Sequence, residues 1–176
     1  MNIKLSAKII NDFLSNIKAK FFIYYYSLNK KKIFNKSSLA PMDNELTLLM
    51  NKYYTDKGNL NNRHNYTKFY HALFHNICSE KLCFFEVGIG SINENHPFNM
   101  KQTDYNYVPL ASLKAWEEYF YNSEIYGADI DETLVQAIGR IKTFHVDMTK
   151  KDSIINMWKK VKKKMDIIID DGFHSF

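Results

Sequence analysis

The 176-residue sequence predicts an α/β protein built on a parallel sheet with helices on both faces. Three observations carry that expectation. From residue 83 onward, short apolar runs of strand length alternate with segments of helical period. The runs are rich in Ile, Val and Phe, as strands buried on both faces are. Each run also ends in an acidic residue, at the strand ends where ligands of such sheets bind.

Along the chain, residues 3 to 17 place Ile3, Ile9, Ile10, Phe13, Leu14 and Ile17 at helical spacing with Lys4, Lys8 and Asp12 between them, which predicts an amphipathic helix. FFIYYYSL prolongs its apolar character, and NKKKIFNKSS has the composition of a linker ending near Pro41. Residues 1–40 thus form a basic helical extension, and 41–176 the α/β unit. About 43 to 53 reads as a second amphipathic helix, TDKGNLNNRHNYT as a polar loop, and 66 to 78 as a core-facing helix with Tyr66, Phe69, Tyr70, Leu73, Phe74 and Ile77 on one stripe. CFFEVGIG is a buried strand entering a glycine turn, LASLKAWEEYF a helix, EIYGADI a strand and DETLVQAI a short helix. IKTFHVDM is a third strand, SIINMWKKVKKK a helix and MDIIID a fourth strand.

Charge and cysteine content narrow the classes of function. The formal charge is +5, yet residues 1–39 hold eight Lys against one Asp, a net +7, which leaves −2 for the remainder. A basic arm on a slightly acidic body argues against a nucleic-acid-binding fold and suits a tail, a membrane-surface or protein contact, or a solvated helix. Cys78 and Cys83 have neither a zinc spacing nor the pattern of a disulfide framework, and read as buried thiols of a cytoplasmic protein. No apolar run reaches the length that spans a bilayer. The sequence leaves a homo-oligomer open.

The strand ends gather Glu86, Gly88 and Gly90 after the first strand, Asp129 and Asp131 after the second, Asp147 after the third, and Asp170, Asp171 and His174 after the fourth. Helix capping accounts for acids at such places as well as chemistry does. A glycine pair lets backbone approach a ligand, but the GxGxxG spacing of dinucleotide enzymes is absent. Gly88 and Asp129 are 41 residues apart, and the difference from a simple dinucleotide unit is filled by SINENHPFNMKQTDYNYVP, long and polar like active-site or lid loops. His71 and His75 stand at i and i+4, without a third ligand in the pattern, and read as helix-surface or satisfied core histidines.

Taken in order, YTDKGNLNNRHNYTKFYHALF, FFEVGIG, ASLKAWEEYF, EIYGADID, RIKTFHVDMT and DIIIDDGFH resemble the class I S-adenosylmethionine-dependent methyltransferases. Within them the chain is similar to the metal-dependent sugar O-methyltransferases of macrolide and related natural-product biosynthesis, over about residues 53 to 176. The resemblance implies a Rossmann-like fold with S-adenosylmethionine and Mg2+ as cofactors, and a small-molecule or glycan acceptor. It implies that Glu86, Gly88 and Gly90 line the methionine part of the cofactor, that Asp129 holds the ribose hydroxyls, and that Asp147 and Met148 border the adenine. Thr55, Asp56 and Lys57 fall in the family's cofactor-side loop, with His64 and Tyr66 in the same stretch; turn formation and solubility are their plainer reading. Asp171 takes the place of a magnesium ligand and His174 that of the general base, while Phe173 stands where the family usually has Ser. A helix cap and a surface histidine are the alternative for Asp170, Asp171 and His174.

Four strands are fewer than the family's sheet carries. The expectation is therefore an N-terminal portion of a longer enzyme, with further metal carboxylates beyond residue 176 and an unpaired apolar edge on the fourth strand. A truncated, inactive cofactor-binding module, or a membrane- or partner-docking protein, is the competing reading.

Overall fold

In the computed structural model, which describes residues 23–25, 43–60, 64–94, 99–102 and 106–172, six strands form one sheet. In chain order they are β1 (Ile23–Tyr25), β2 (Cys83–Val87), β3 (Glu124–Asp129), β4 (Ala137–Ile138), β5 (Ile141–His145) and β6 (Ile167–Asp170). Their spatial order is β1-β6-β2-β3-β5-β4. The four strands expected from the sequence pair in parallel with β2 at the centre, where Val87 lies opposite both Ala128 and Asp170. The helices are α1 (Glu45–Lys52), α2 (Thr67–Phe74), α3 (Ala111–Tyr119) and α4 (Lys151–Val161). The helix expected over residues 3 to 17 lies outside the described residues, as does His174.

Period-two alternation distributes the side chains. Phe84, Ile125, Ile167 and Ile169 join the core on the α1–α3 face, whereas Phe85, Val87, Tyr126 and Ala128 join Met157 and Val161 of α4 on the other. The first core is aromatic: the ring centroids of Phe84 and Trp116 lie 4.8 Å apart, and those of Tyr70 and Trp116 5.6 Å apart. Complete burial of an apolar side chain of this size contributes about 1.5–3 kcal/mol. Local chemistry sets the helix ends. Asn44 caps α1 by accepting from Thr47 N at 3.0 Å, and the Thr47 and Thr67 hydroxyls meet at 2.6 Å to join α1 to α2. Lys162 ends α4 with φ +52°.

Several expectations change. The stretch 66 to 78 is helical only to Phe74, because Ile77 N then bonds back to Phe74 O and tightens the chain into turns. DETLVQAI is not a helix: Glu132–Leu134 form a 3-10 turn capped by Asp131, and Ala137–Ile138 pair antiparallel with β5 across Gly139 and Arg140. Leu134 alone of its apolar residues is buried, with Val135, Ala137 and Ile138 exposed, so that segment lacks the continuous apolar face a helix would bury. The outer edge of β6 is not unpaired, since Ile23–Tyr25 run antiparallel to it with Ile23 opposite Ile169 and Tyr25 opposite Ile167. A β-branched and aromatic run such as FFIYYY suits that edge. Cys78 and Cys83 are free and half-buried rather than buried. His71 and His75 are satisfied locally: His71 Nδ1 is 3.0 Å from the Tyr119 hydroxyl, and His75 Nδ1 is 2.9 Å from His71 O. Among the described residues, no helix is long and apolar enough to cross a membrane.

Arg140 closes the C-terminal end of α3. Its guanidinium donates to Phe120 O at 2.8 Å, to Ser123 O at 2.5 Å and to Glu117 O, while its backbone N–H donates to Glu117 Oε1 at 2.7 Å. A cation among the last carbonyls of a helix is favourable through both hydrogen bonds and the helix dipole. Arg140→Met is expected to cost about 1–2 kcal/mol of folding stability, read as a lower urea midpoint with an unchanged slope; an unmoved midpoint would contradict the cap.

Candidate functional site

The carboxyl ends of β2, β3 and β6 and the loop after α1 build the site. Local hydrogen bonds shape the loop: Thr55 N donates to Met50 O at 3.0 Å, and the buried Thr55 hydroxyl accepts from Lys57 N at 3.2 Å. That turn drives Lys57 inward, leaving the residue 3% exposed. Its ammonium lies 2.6 Å from Asp171 Oδ2, 3.1 Å from Glu86 Oε1 and 3.8 Å from Asp56 Oδ1. Four residues singled out in the sequence, Asp56, Lys57, Glu86 and Asp171, thus meet in one cluster. His64 stands at its rim, with Nε2 4.0 Å from Asp56 Oδ2 and its ring stacked on Tyr66 at 4.9 Å.

Glu86 is fully buried in β2, and neither of its oxygens receives a well-aligned hydrogen bond, although Lys57 is within ion-pair range. Burial pushes its carboxyl up, with the Lys57 charge and the Ser112 hydroxyl opposing. Asp171 is likewise pushed up by burial, against the pull of Lys57. Burial disfavours the charged Lys57, but Asp171, Glu86 and Asp56 outweigh it and hold the amine well above its ordinary range. The Tyr66 phenol is pushed up to about 12 by burial and the nearby Asp171 and Asp56.

A second group surrounds the glycine turn. Gly88 and Gly90 adopt φ +79° and +80°. A Cβ on Gly88 would collide with the Asp171 carbonyl and stand 2.7 Å from Gly172 N, so the turns after β2 and β6 touch through backbone. Asp129 ends β3 and accepts from Ile89 N at 2.9 Å and Gly90 N at 3.2 Å through one oxygen, and from Asp131 N at 3.1 Å through the other. The acid after the second parallel strand and the glycine turn after the first are therefore one hydrogen-bonded unit. Tyr107, from the long polar insertion, donates to Ile89 O at 2.9 Å and covers Gly90, and the Ser91 hydroxyl bonds Asp131. The sequence reading missed Tyr107 and Ser91; nothing in local spacing marks a tyrosine 18 residues downstream as the cover of a glycine turn.

Other expected site residues do not join these groups. Asp147 sits past the end of β5 and is engaged in its own turn, accepting from the Thr149 hydroxyl at 2.6 Å and pairing with Lys150 at 2.9 Å. Those two partners lower its carboxyl to about 2. Met148 packs on the α4-side core. Among the described residues, no group of three His, Cys, Asp or Glu side chains is arranged to hold a metal ion.

A mostly parallel sheet with a glycine turn after its central strand and an acid after the neighbouring strand is a Rossmann-like architecture, and its similarity to solved methyltransferases makes the chain resemble the class I S-adenosylmethionine-dependent methyltransferases. In particular, it is similar to the MycE methyltransferase from the mycinamycin biosynthetic pathway. The structure of that protein with Mg, SAH and mycinamycin VI matches at 27% identity and a TM-score of 0.56, over 74% of this chain and 32% of that one. A crystal form with Mg and SAH matches at 27% identity and a TM-score of 0.57, over 74% and 30%. The chain thus spans about a third of the length of these structures. No family model and no curated protein sequence matches it.

Two substitutions probe the site. Gly88→Ala is expected to cost at least about 1–2 kcal/mol from its left-handed φ, and more from the backbone collision. Gly90→Ala shares the left-handed φ but meets the side chains of Tyr107 and Met100 where Gly88→Ala meets backbone, and should cost less; urea denaturation giving equal losses would contradict the close approach at Gly88. For Glu86, a carboxyl that is harder to ionise in the folded chain adds stability at acid pH and loses it as pH rises through its folded-state pKa. Glu86→Gln is therefore expected to match or exceed the wild type in urea resistance at pH 8 and to lose that advantage toward pH 4.

Proposed function

We propose that the protein is an S-adenosylmethionine-dependent O-methyltransferase whose acceptor is a sugar hydroxyl, in a natural product or a bacterial surface glycan. The observation that carries this reading is Asp129 braced on the Ile89 and Gly90 N–H groups, in a fold similar to a methyltransferase solved with SAH. The cofactor fits the residues present. Gly88 and Gly90 at positive φ add no side chains to the turn and Ile89 points into the core, and a carboxylate has about four acceptor sites, so Asp129 can keep its backbone donors and accept ribose hydroxyls as well. Glu86 offers buried oxygens lacking aligned donors, suited to the amino-acid end of the cofactor. Asp147 and Met148 are assigned to the adenine side. For magnesium the described residues contribute Asp171, whose carboxylate Lys57 already engages; that cofactor rests on the likeness to MycE, which was solved with Mg.

When bound, S-adenosylmethionine supplies an electrophilic methyl on a positively charged sulfur, and magnesium supplies a Lewis acid that lowers the pKa of a hydroxyl. The chain's own part is positioning and proton transfer. Asp129 and the glycine turn would orient the cofactor, Tyr107 covers Gly90, and His174 would take the acceptor hydroxyl's proton as the methyl passes from sulfur to that oxygen and S-adenosylhomocysteine leaves. Residues 1–40 suit an anionic membrane surface or a partner protein. A second reading is cofactor binding without turnover.

Calorimetric titration with S-adenosylhomocysteine tests the proposal. Saturable binding is expected, abolished by Asp129→Ala in a variant that retains its far-UV circular dichroism. At one hundred times its dissociation constant the ligand should stabilise the fold by about 2.7 kcal/mol, seen as a higher melting temperature. A folded wild-type chain that binds none would sink the reading, and binding without methyl transfer to any sugar acceptor would favour the second.

A further inference from the structure

Lys57 belongs to the loop that the sequence assigns to the cofactor, but its geometry is not that of a ligand-binding lysine. An ammonium carries three N–H donors. Three carboxylates already surround this one, at 2.6, 3.1 and 3.8 Å, and the side chain is 4% exposed. The three acids come from separate parts of the chain: Asp56 beside Lys57 in the loop, Glu86 from the central strand, and Asp171 after β6, 114 residues from Lys57. The loop turn that buries Lys57 is secured by backbone and by Thr55, so the amine is presented without help from any ligand.

We infer that Lys57 is a positioning residue, an internal counter-cation that holds Asp171 and Glu86 together at the strand ends, and not a group that binds the cofactor. The inference rests on the methyltransferase reading only for what Asp171 and Glu86 then do. Like charges brought to one ammonium repel each other, and among the described residues the backbone of Asp171 is tied to β2 by Asp171 N donating to Val87 O at 2.9 Å. Lys57 supplies the attraction that sets its side chain. The same placement makes Lys57 the positive charge among these acids, so in its absence a divalent cation should offset part of their repulsion.

Thermal melting of the full chain tests this with magnesium chloride as the probe. Lys57→Met is expected to melt lower than wild type, magnesium is expected to raise the variant's melting temperature more than the wild type's, and Lys57→Met/Glu86→Gln is expected to recover part of the loss with a smaller response to magnesium. A lysine needed only for packing of its methylenes predicts neither rescue; a Lys57→Met melt indifferent both to magnesium and to Glu86→Gln would overturn the inference. Should Lys57→Met fail to fold, Lys57→Met/Glu86→Gln/Asp171→Asn decides: folding supports a counter-cation, and failure to fold overturns it. These melts stand apart from S-adenosylhomocysteine binding by the wild type, so either result can fail without the other.

Discussion

The register of the three central parallel strands is the constraint on which the site depends. Val87 lies opposite both Ala128 and Asp170, so β2, β3 and β6 end level with one another. Because side chains alternate along a strand, a slip of one residue would carry Phe84 and Phe85 to the wrong cores and turn Glu86 away from Lys57. The aromatic packing on the two faces, with Phe84 against Trp116 and Phe85 against Trp158, therefore does more than stabilise the sheet. It decides which carboxylates face one another above it.

Charge inside this framework is tolerated because it is paired. A lone buried carboxylate is costly, and Glu86 is wholly buried. Lys57 offsets that cost while sharing itself with Asp171 and Asp56, which leaves more negative than positive groups at the strand ends. The glycine turn adds the second requirement, since only residues without Cβ let the turn after β2 touch the one after β6.

Hydrogen bonds link the two groups of site residues to their surroundings in different ways. Asp129 is held by backbone donors from the turn it faces, so its orientation follows from the sheet. Lys57 is held by a loop outside the sheet, so its orientation follows from α1 and from Thr55. Tyr107 comes from a third source, the insertion, and closes over Gly90 from above.

By itself the sequence determined the four parallel strands, the helices that follow the first and third of them and the acids at the strand ends, because alternation, helical period and turn residues are local signals. It also singled out Glu86, Asp129 and Asp171, since acids at strand ends are legible without coordinates, and Lys57 through the family resemblance of its loop. What it could not decide were relations between distant segments. That Lys57 faces Asp171 across 114 residues, that Tyr107 covers Gly90, and that Ile23–Tyr25 pair with β6 are all set by packing of the whole chain. DETLVQAI shows the same limit at short range: its helical look gave way to a turn and a short strand because β5 offered an open edge. Local chemistry chose the groups, and only tertiary structure could choose their partners, because a charge or hydroxyl has no direction along the sequence until the sheet gives it one.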